Sequence, residues 1–181
     1  IDMKSQDKLR GNTLVSTVMS NLGLEKELAK QDITMLRTQV GDRYVVEAMR
    51  EGDFNLGGEQ SGHIVLPDFS RTGDGLLAAL QICVLLQLQD KPASEVLHVF
   101  EPMPQTLHNA TYMKGSDPLN LDEVKAAIKD AEEKLAGSGR LLVRASGTEP
   151  VIRIMAEGDN QDVIENVAGD VCSVIEKAAS G

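Results

Sequence analysis

The stretch LLVRASGTEPVIRIMA, residues 141–156, decides how the C-terminal part of this sequence folds. Two apolar runs, 141–143 and 151–156, flank a segment of turn formers, so the stretch reads as strand, loop, strand. A plain hairpin needs only a few turn residues. This loop also carries the hydroxyls of Ser146 and Thr148, with Arg144 and Arg153 on either side. Consecutive backbone N–H groups of ASGT can form an anion-binding nest, and Gly147 is expected to supply the unusual dihedrals that such a turn needs. Arg144 ends one strand and Arg153 lies on the strand that returns, so both guanidinium groups can converge on one mouth. Charge-assisted hydrogen bonds of this kind contribute ~1.5–3 kcal/mol each. Pro150 restrains Glu149 to an extended conformation. The alternative is a hairpin with solvent-facing arginines, and the two bracketing arginines favour the anion site.

Working outward, a strand at 106–113 and a helix precede the quoted loop, and a last helix follows it. Asn120 and Glu123 are spaced as a capping box for the first helix, whose apolar stripe is Leu121, Val124, Ile128, Ala131 and Leu135. Val163, Val167, Val171, Val174 and Ile175 mark one face of the last helix. The order β-α-β-β-α predicts a small α+β domain over residues 103–181, with its helices on one side of the sheet. Pro102 and Pro104 stop the preceding helix and set the boundary.

Residues 1–102 alternate differently. LVSTVM (14–19) and ITMLRT (33–38) read as strands, and GLEKELAKQ (23–31) and GDRYVVEAMREG (41–52) as helices. NLGGEQSGHIVLPDF (55–69) reads as strand, turn, strand. The run LLAALQICVLL (76–86) reads as a buried core helix, too short to span a membrane, and ASEVLHVF (93–100) as a further helix. Strands alternating with helices predict an α/β layer.

A net charge of −10 and a pI near 4.7 argue against nucleic acid, whose binders are basic. The acidity is evenly spread, with 10 basic and 15 acidic side chains in residues 1–103 and 8 and 13 in residues 104–181. Arg140, Arg144 and Arg153, opposed only by Glu149 within 140–153, therefore form a local positive point suited to a small anion. Cys83 and Cys172 sit in apolar helical runs and read as small core residues. His63, His98 and His108 lack metal-ligand spacing. No signal peptide is visible, which makes the cytoplasm the default location. A start at Ile1 reads as a piece of a longer protein.

GGEQSGH (57–63) is the second constellation. Glu59 can accept hydrogen bonds from two adjacent hydroxyls, the geometry a pyranose offers. Ser61 can serve the same edge, and His63 can meet a phosphate as a cation. A glycine-rich turn with a solvated glutamate explains this stretch equally well. VGDRYV (40–45) and TGDG (72–75) each place an acid before a helix, as N-caps do. Capping is the better reading for Asp74, while Asp42 and Arg43 are also candidates for a substrate or interdomain role.

VGDRYV, GGEQSGH, TGDG and RASGTEPVIRIMAEG occur here in the order found in α-D-phosphohexomutases, and the resemblance covers essentially the whole chain. It implies a partial three-layer α/β domain, the third of that family, over residues 1–102, and a fourth α+β domain resembling the TATA-binding-protein fold over 103–181. By resemblance Glu59 and Ser61 are sugar ligands with His63 beside them. Arg144, Ser146, Gly147, Thr148 and Arg153 hold the non-reacting phosphate of a phosphosugar. Family chemistry interconverts a 6-phosphosugar and its 1-phosphate isomer through a bisphosphate. An enzyme phosphoserine donates the phosphoryl group and Mg²⁺ assists, both on N-terminal domains that this sequence lacks. The resemblance thus implies those domains as partners, a homodimer in the full-length protein, no membrane and no turnover by this chain alone. Asp42 and Arg43 favour the amino-sugar branch. Glucose- or mannose-specific members and a non-catalytic phosphosugar-binding module are the alternatives.

Overall fold

The structure, a computed structural model, describes residues 1–113, 115–147 and 149–180, apart from the Ser180 side chain. The chain forms two compact units, Ile1–Pro102 and Met103–Gly181.

In the first unit, α1 (Asp2–Ser5), β1 (Thr13–Thr17), α2 (Leu22–Lys30), β2 (Thr34–Thr38), α3 (Asp42–Glu51), β3 (Gly57–Gly58) and β4 (Ile64–Val65) precede α4 (Gly75–Gln89) and α5 (Ala93–Val96). The sheet order is β2-β1-β3-β4, with β1 parallel to both β2 and β3 and only β4 antiparallel. Alternation along β1 explains how both faces are covered. Leu14 points to the side where α2 supplies Leu24 and Leu28, whereas Val15 meets Val45 and Met49 of α3. Asn21 starts α2 by accepting the Gly23 N–H at 2.8 Å, and Asp74 starts α4 by accepting the Leu77 N–H at 3.0 Å.

Two expectations fail here. In α4 only Ala78 is buried; Leu76, Leu80, Val84 and Leu88 are exposed, and Cys83 is exposed with them. This helix has apolar residues on every side, so burying one face necessarily leaves others outward. The helix expected at 93–100 is a single turn, Ala93–Val96.

The second unit contains β5 (Gln105–Thr111), α6 (Asp122–Leu135), β6 (Gly139–Ala145), β7 (Val151–Gly158) and α7 (Gln161–Ser180). Its antiparallel sheet has the order β5-β7-β6. Ile152, Ile154 and Ala156 of β7 point to one face, and there they meet Val124, Ala131 and Leu135 of α6 and Ile164, Val167, Ala168, Val171 and Ile175 of α7. Both helices therefore lie on one side. The stripes shift slightly from expectation, since Leu121 and Val163 are exposed and Ile164 takes the core position. The capping box at α6 does not form. Leu121 occupies the N-cap, while the Asn120 amide donates to Asp117 Oδ2 at 2.5 Å. Asn160 caps α7 instead, accepting the N–H groups of Asp162 and Val163 at 2.9 and 3.2 Å.

Register fixes the other sheet face. Arg144 lies opposite Arg153, Leu142 opposite Met155 and Arg140 opposite Glu157, while Asn109, Leu107 and Gln105 of β5 complete those rows. All point away from the helices.

Candidate functional site

In the first unit the chain leaves β1 through α2 to reach β2 on one side, then crosses through α3 to β3 on the other. β1 and β3 therefore flank a topological switch point, where the carboxyl ends of parallel strands leave a crevice. GGEQSGH begins as β3 at this point. Its turn is tied by the Glu59 N–H donating to the His63 carbonyl at 2.9 Å and the Gly62 N–H donating to the Glu59 carbonyl at 3.1 Å. Gly62 adopts φ +96°, a conformation open to glycine. Gly58 is required for space, because a Cβ there would sit 2.7 Å from the His63 carbonyl oxygen.

The Glu59 side chain is only 10% exposed. Its Oε1 accepts the Gly41 N–H at 2.9 Å, so this carboxylate joins the GGEQSGH turn to the turn that opens α3. Oε2 stands 4.0 Å from His63 Nδ1, and that ring nitrogen lies 3.3 Å from the Ser61 hydroxyl. Ser61 and His63 are exposed. Asp42 and Arg43, also exposed, follow Gly41 directly; Asp42 Oδ1 accepts the Arg43 N–H at 2.7 Å, and the Arg43 guanidinium lies 5.0 Å from the Tyr44 ring centre. Gly73 of TGDG lies beside His63, where an added Cβ would make an ordinary 3.4 Å contact with its Cδ2. VGDR, GGEQSGH and TGDG, up to about thirty residues apart in sequence, thus surround one spot.

In the second unit the β6–β7 hairpin presents Arg144 and Arg153 directly opposite one another on one sheet face. Like charges in that position repel, and a dianion between them reverses the sign. Arg153 is offset by Glu149, with Nη2 to Oε2 at 3.3 Å, whereas the Arg144 guanidinium has no hydrogen-bonding or ionic partner among the described residues. The loop is held by the Ser146 N–H donating to the Val151 carbonyl and the Val151 N–H donating to the Glu149 carbonyl, both at 2.8 Å. Ser146 Oγ also accepts the Glu149 N–H at 3.4 Å. Thr148 lies outside the described residues. Gly147 departs from expectation: its φ is not in the left-handed region, and a Cβ added there meets nothing within 4 Å. Neither its backbone nor its described neighbours demand glycine.

Sequence reasoning missed the Glu59–Gly41 link, Asn109 in the arginine row, and the pairing of Ser16 and Ser20 beneath Gly58. Each depends on strand register or tertiary contact; the only local signal was polar residues at the strand ends. The Cys172 thiol, on the helical face of this unit, is pushed up by burial and by the Glu176 carboxylate, away from nucleophilic chemistry. Among the described residues no three His, Cys, Asp or Glu side chains gather to hold a metal ion, and no helix is long and apolar enough to cross a membrane.

The family model for phosphoglucomutase/phosphomannomutase α/β/α domain III matches residues 1–103, and that for the C-terminal domain of the same family matches residues 107–174. Phosphoglucosamine mutases of Xanthobacter autotrophicus and Novosphingobium aromaticivorans are 55% and 54% identical to 98% of this chain. The chain spans 39% and 40% of their lengths. An N-acetylphosphoglucosamine mutase of Aspergillus fumigatus, solved with GlcNAc-6P and magnesium, superposes with a TM-score of 0.75 at 19% identity, covering 98% of this chain and 41% of that one. A phosphoglucomutase/phosphomannomutase family protein of Burkholderia thailandensis gives a TM-score of 0.71 at 20% identity over 99% of this chain and 40% of its own. Matched by those two domain models over residues 1–103 and 107–174, this chain belongs to the phosphoglucomutase/phosphomannomutase family, the α-D-phosphohexomutases.

Proposed function

We propose that this chain is the substrate-holding C-terminal part of a phosphoglucosamine mutase, which interconverts glucosamine 6-phosphate and glucosamine 1-phosphate. The observation that carries this reading is the opposed pair Arg144 and Arg153 at the β6–β7 loop, with the Arg144 guanidinium lacking a counter-ion among the described residues. The names of the curated relatives, at 54–55% identity, support the amino sugar over glucose or mannose.

In this reading residues 1–102 form the sugar-reading domain and residues 103–181 the phosphate-holding one. Arg144, Arg153, Ser146, Thr148 and the backbone at Gly147 grip the phosphate that is not reacting. Glu59 Oε2, the oxygen not taken by Gly41, accepts from a ring hydroxyl, with Ser61 and His63 at the same edge. Asp42 and Arg43, set by Gly41 and hence by Glu59, complete the rim of the sugar site. Phosphoryl transfer is mainly positioning and charge stabilisation. A mutase needs one grip that accepts either end of the sugar while the other end reacts through a bisphosphate. The phosphoserine that donates the phosphoryl group belongs to N-terminal domains of the longer polypeptide. Magnesium, when bound, neutralises charge on the transferring group. Among the described residues no three His, Cys, Asp or Glu side chains gather to hold it.

The test is a coupled assay on the full-length polypeptide with glucosamine, glucose and mannose phosphates. The reading predicts the highest kcat/KM for glucosamine 6-phosphate and no turnover by the 181-residue chain alone. A preference for glucose 6-phosphate, or turnover by the chain alone, overturns it.

A further inference from the structure

The carboxyl end of β1 lies at the switch point, outside the VGDR, GGEQSGH and TGDG turns. Ser16 is 4% exposed, and its hydroxyl donates to the Gly58 carbonyl at 2.8 Å. Ser20, also 4% exposed, lies with its Oγ 2.5 Å from Ser16 Oγ. With the Ser16 proton directed to Gly58, Ser16 Oγ keeps lone pairs facing Ser20, and the two hydroxyls and the carbonyl form one chain of contacts. The turn that carries Ser20 is itself fixed. Arg37 of β2 donates through Nη1 to the carbonyls of Thr17 and Ser20 at 3.2 and 2.7 Å, and its Nε and Nη2 bind Glu25 at 3.0 and 2.8 Å. A rigid anchor thus reaches through two buried hydroxyls to the carbonyl just before Glu59.

We infer that Ser20 and Ser16 form a hydroxyl relay that positions Gly58, and with it the Glu59 carboxylate, making the β1–α2 turn a positioning element of the sugar site. β3 is only two residues long, pairing with β1 at Gly57 and with β4 at Gly57 and Gly58, so the ladder around it is short. Gly58 carries no side chain to lock it. The relay and the Glu59–Gly41 bond together fix the carboxylate from below and from the side. Neither serine touches the ligand; both act through Glu59. The inference rests on the sugar-binding reading of Glu59.

The experiment measures KM, kcat and inhibition by inorganic phosphate for Ser16→Ala, Ser20→Ala, Ser16→Thr and Glu59→Ala in the full-length polypeptide, with melting temperatures alongside. One neutral hydrogen bond corresponds to roughly a fivefold change in affinity. Both alanine variants are expected to raise KM for glucosamine 6-phosphate about three- to tenfold, with kcat within about twofold. The phosphate inhibition constant should stay unchanged, since inorganic phosphate reports on the arginine hairpin of the other unit. Ser16→Thr, which keeps the hydroxyl, should restore KM. An unchanged KM in both alanine variants overturns the relay, as does a KM rise matched by the phosphate constant and by lost melting temperature. If Glu59→Ala raises KM while the serine variants do not, the relay alone fails. If Glu59→Ala also leaves KM unchanged, the sugar-site reading fails and the relay with it.

Discussion

Replacing Arg140 by Met should destabilise the C-terminal unit severely, and the structure sets the scale. Glu157 on β7 is completely buried, and its Oε2 accepts from Arg140 Nε at 2.6 Å. Its Oε1 has no hydrogen-bond partner among the described residues, so the carboxylate depends on one side. The Arg140 side chain is 20% exposed, which leaves the pair little screened by solvent. Breaking such a pair from one side costs about 3–5 kcal/mol, because a carboxylate is left buried without its compensating charge. In a unit of this size each kcal/mol moves the midpoint by about 4–8 °C, so the shift should exceed about 12 °C. Replacing both residues with Met removes the stranded charge and should recover most of the loss. Urea unfolding of the chain, with amide exchange at Ile152, Ile154 and Ala156 reading this unit, measures the cycle. A single-variant loss under about 1 kcal/mol, or a double variant no better than the single, would refute the reasoning.

Three further outcomes follow from individual contacts. Glu149→Gln removes the exposed counter-ion of Arg153, 3.3 Å away, so inorganic phosphate should bind about two- to fivefold more tightly by competition assay. Gly58→Ala pushes a Cβ against the His63 carbonyl oxygen, backbone that cannot move cheaply, and should weaken sugar binding while costing about 1–3 kcal/mol in unfolding assays. Glu165 is held below the usual carboxylate range by hydrogen bonds from Thr106 and then His108, at 2.6 and 2.8 Å. A depressed folded value means stability that is present above the ordinary glutamate range and lost as pH falls through the lowered one. Glu165→Gln should remove that part of the acid-side decline in a pH series of melting temperatures.

How much was legible beforehand differs between the two units for a physical reason. The β6–β7 hairpin and its arginines were readable because strand period, turn residues and charge all lie within sixteen consecutive residues. The register that sets Arg144 against Arg153 follows from such local pairing. The sugar site was legible only as separate glycine-rich pieces, since the Glu59–Gly41 bond and the Gly73–His63 contact join turns far apart in sequence. Capping was misjudged at α6, where Asn120 satisfies Asp117 rather than the helix N–H groups. Local propensity cannot foresee whether a short amide will donate to a nearby carboxylate or accept from helix N–H groups. α4 misled because an apolar composition states a preference for burial and not the surface that provides it.

Glucosamine 6-phosphate affinity in the full-length polypeptide, measured by calorimetry for the parent and for Arg144→Met, tests the phosphate grip most directly. Loss of one charge-assisted guanidinium contact predicts affinity about ten- to a hundredfold weaker, with melting temperature held. Affinity within about twofold of the parent would contradict the claim that this hairpin grips the phosphate.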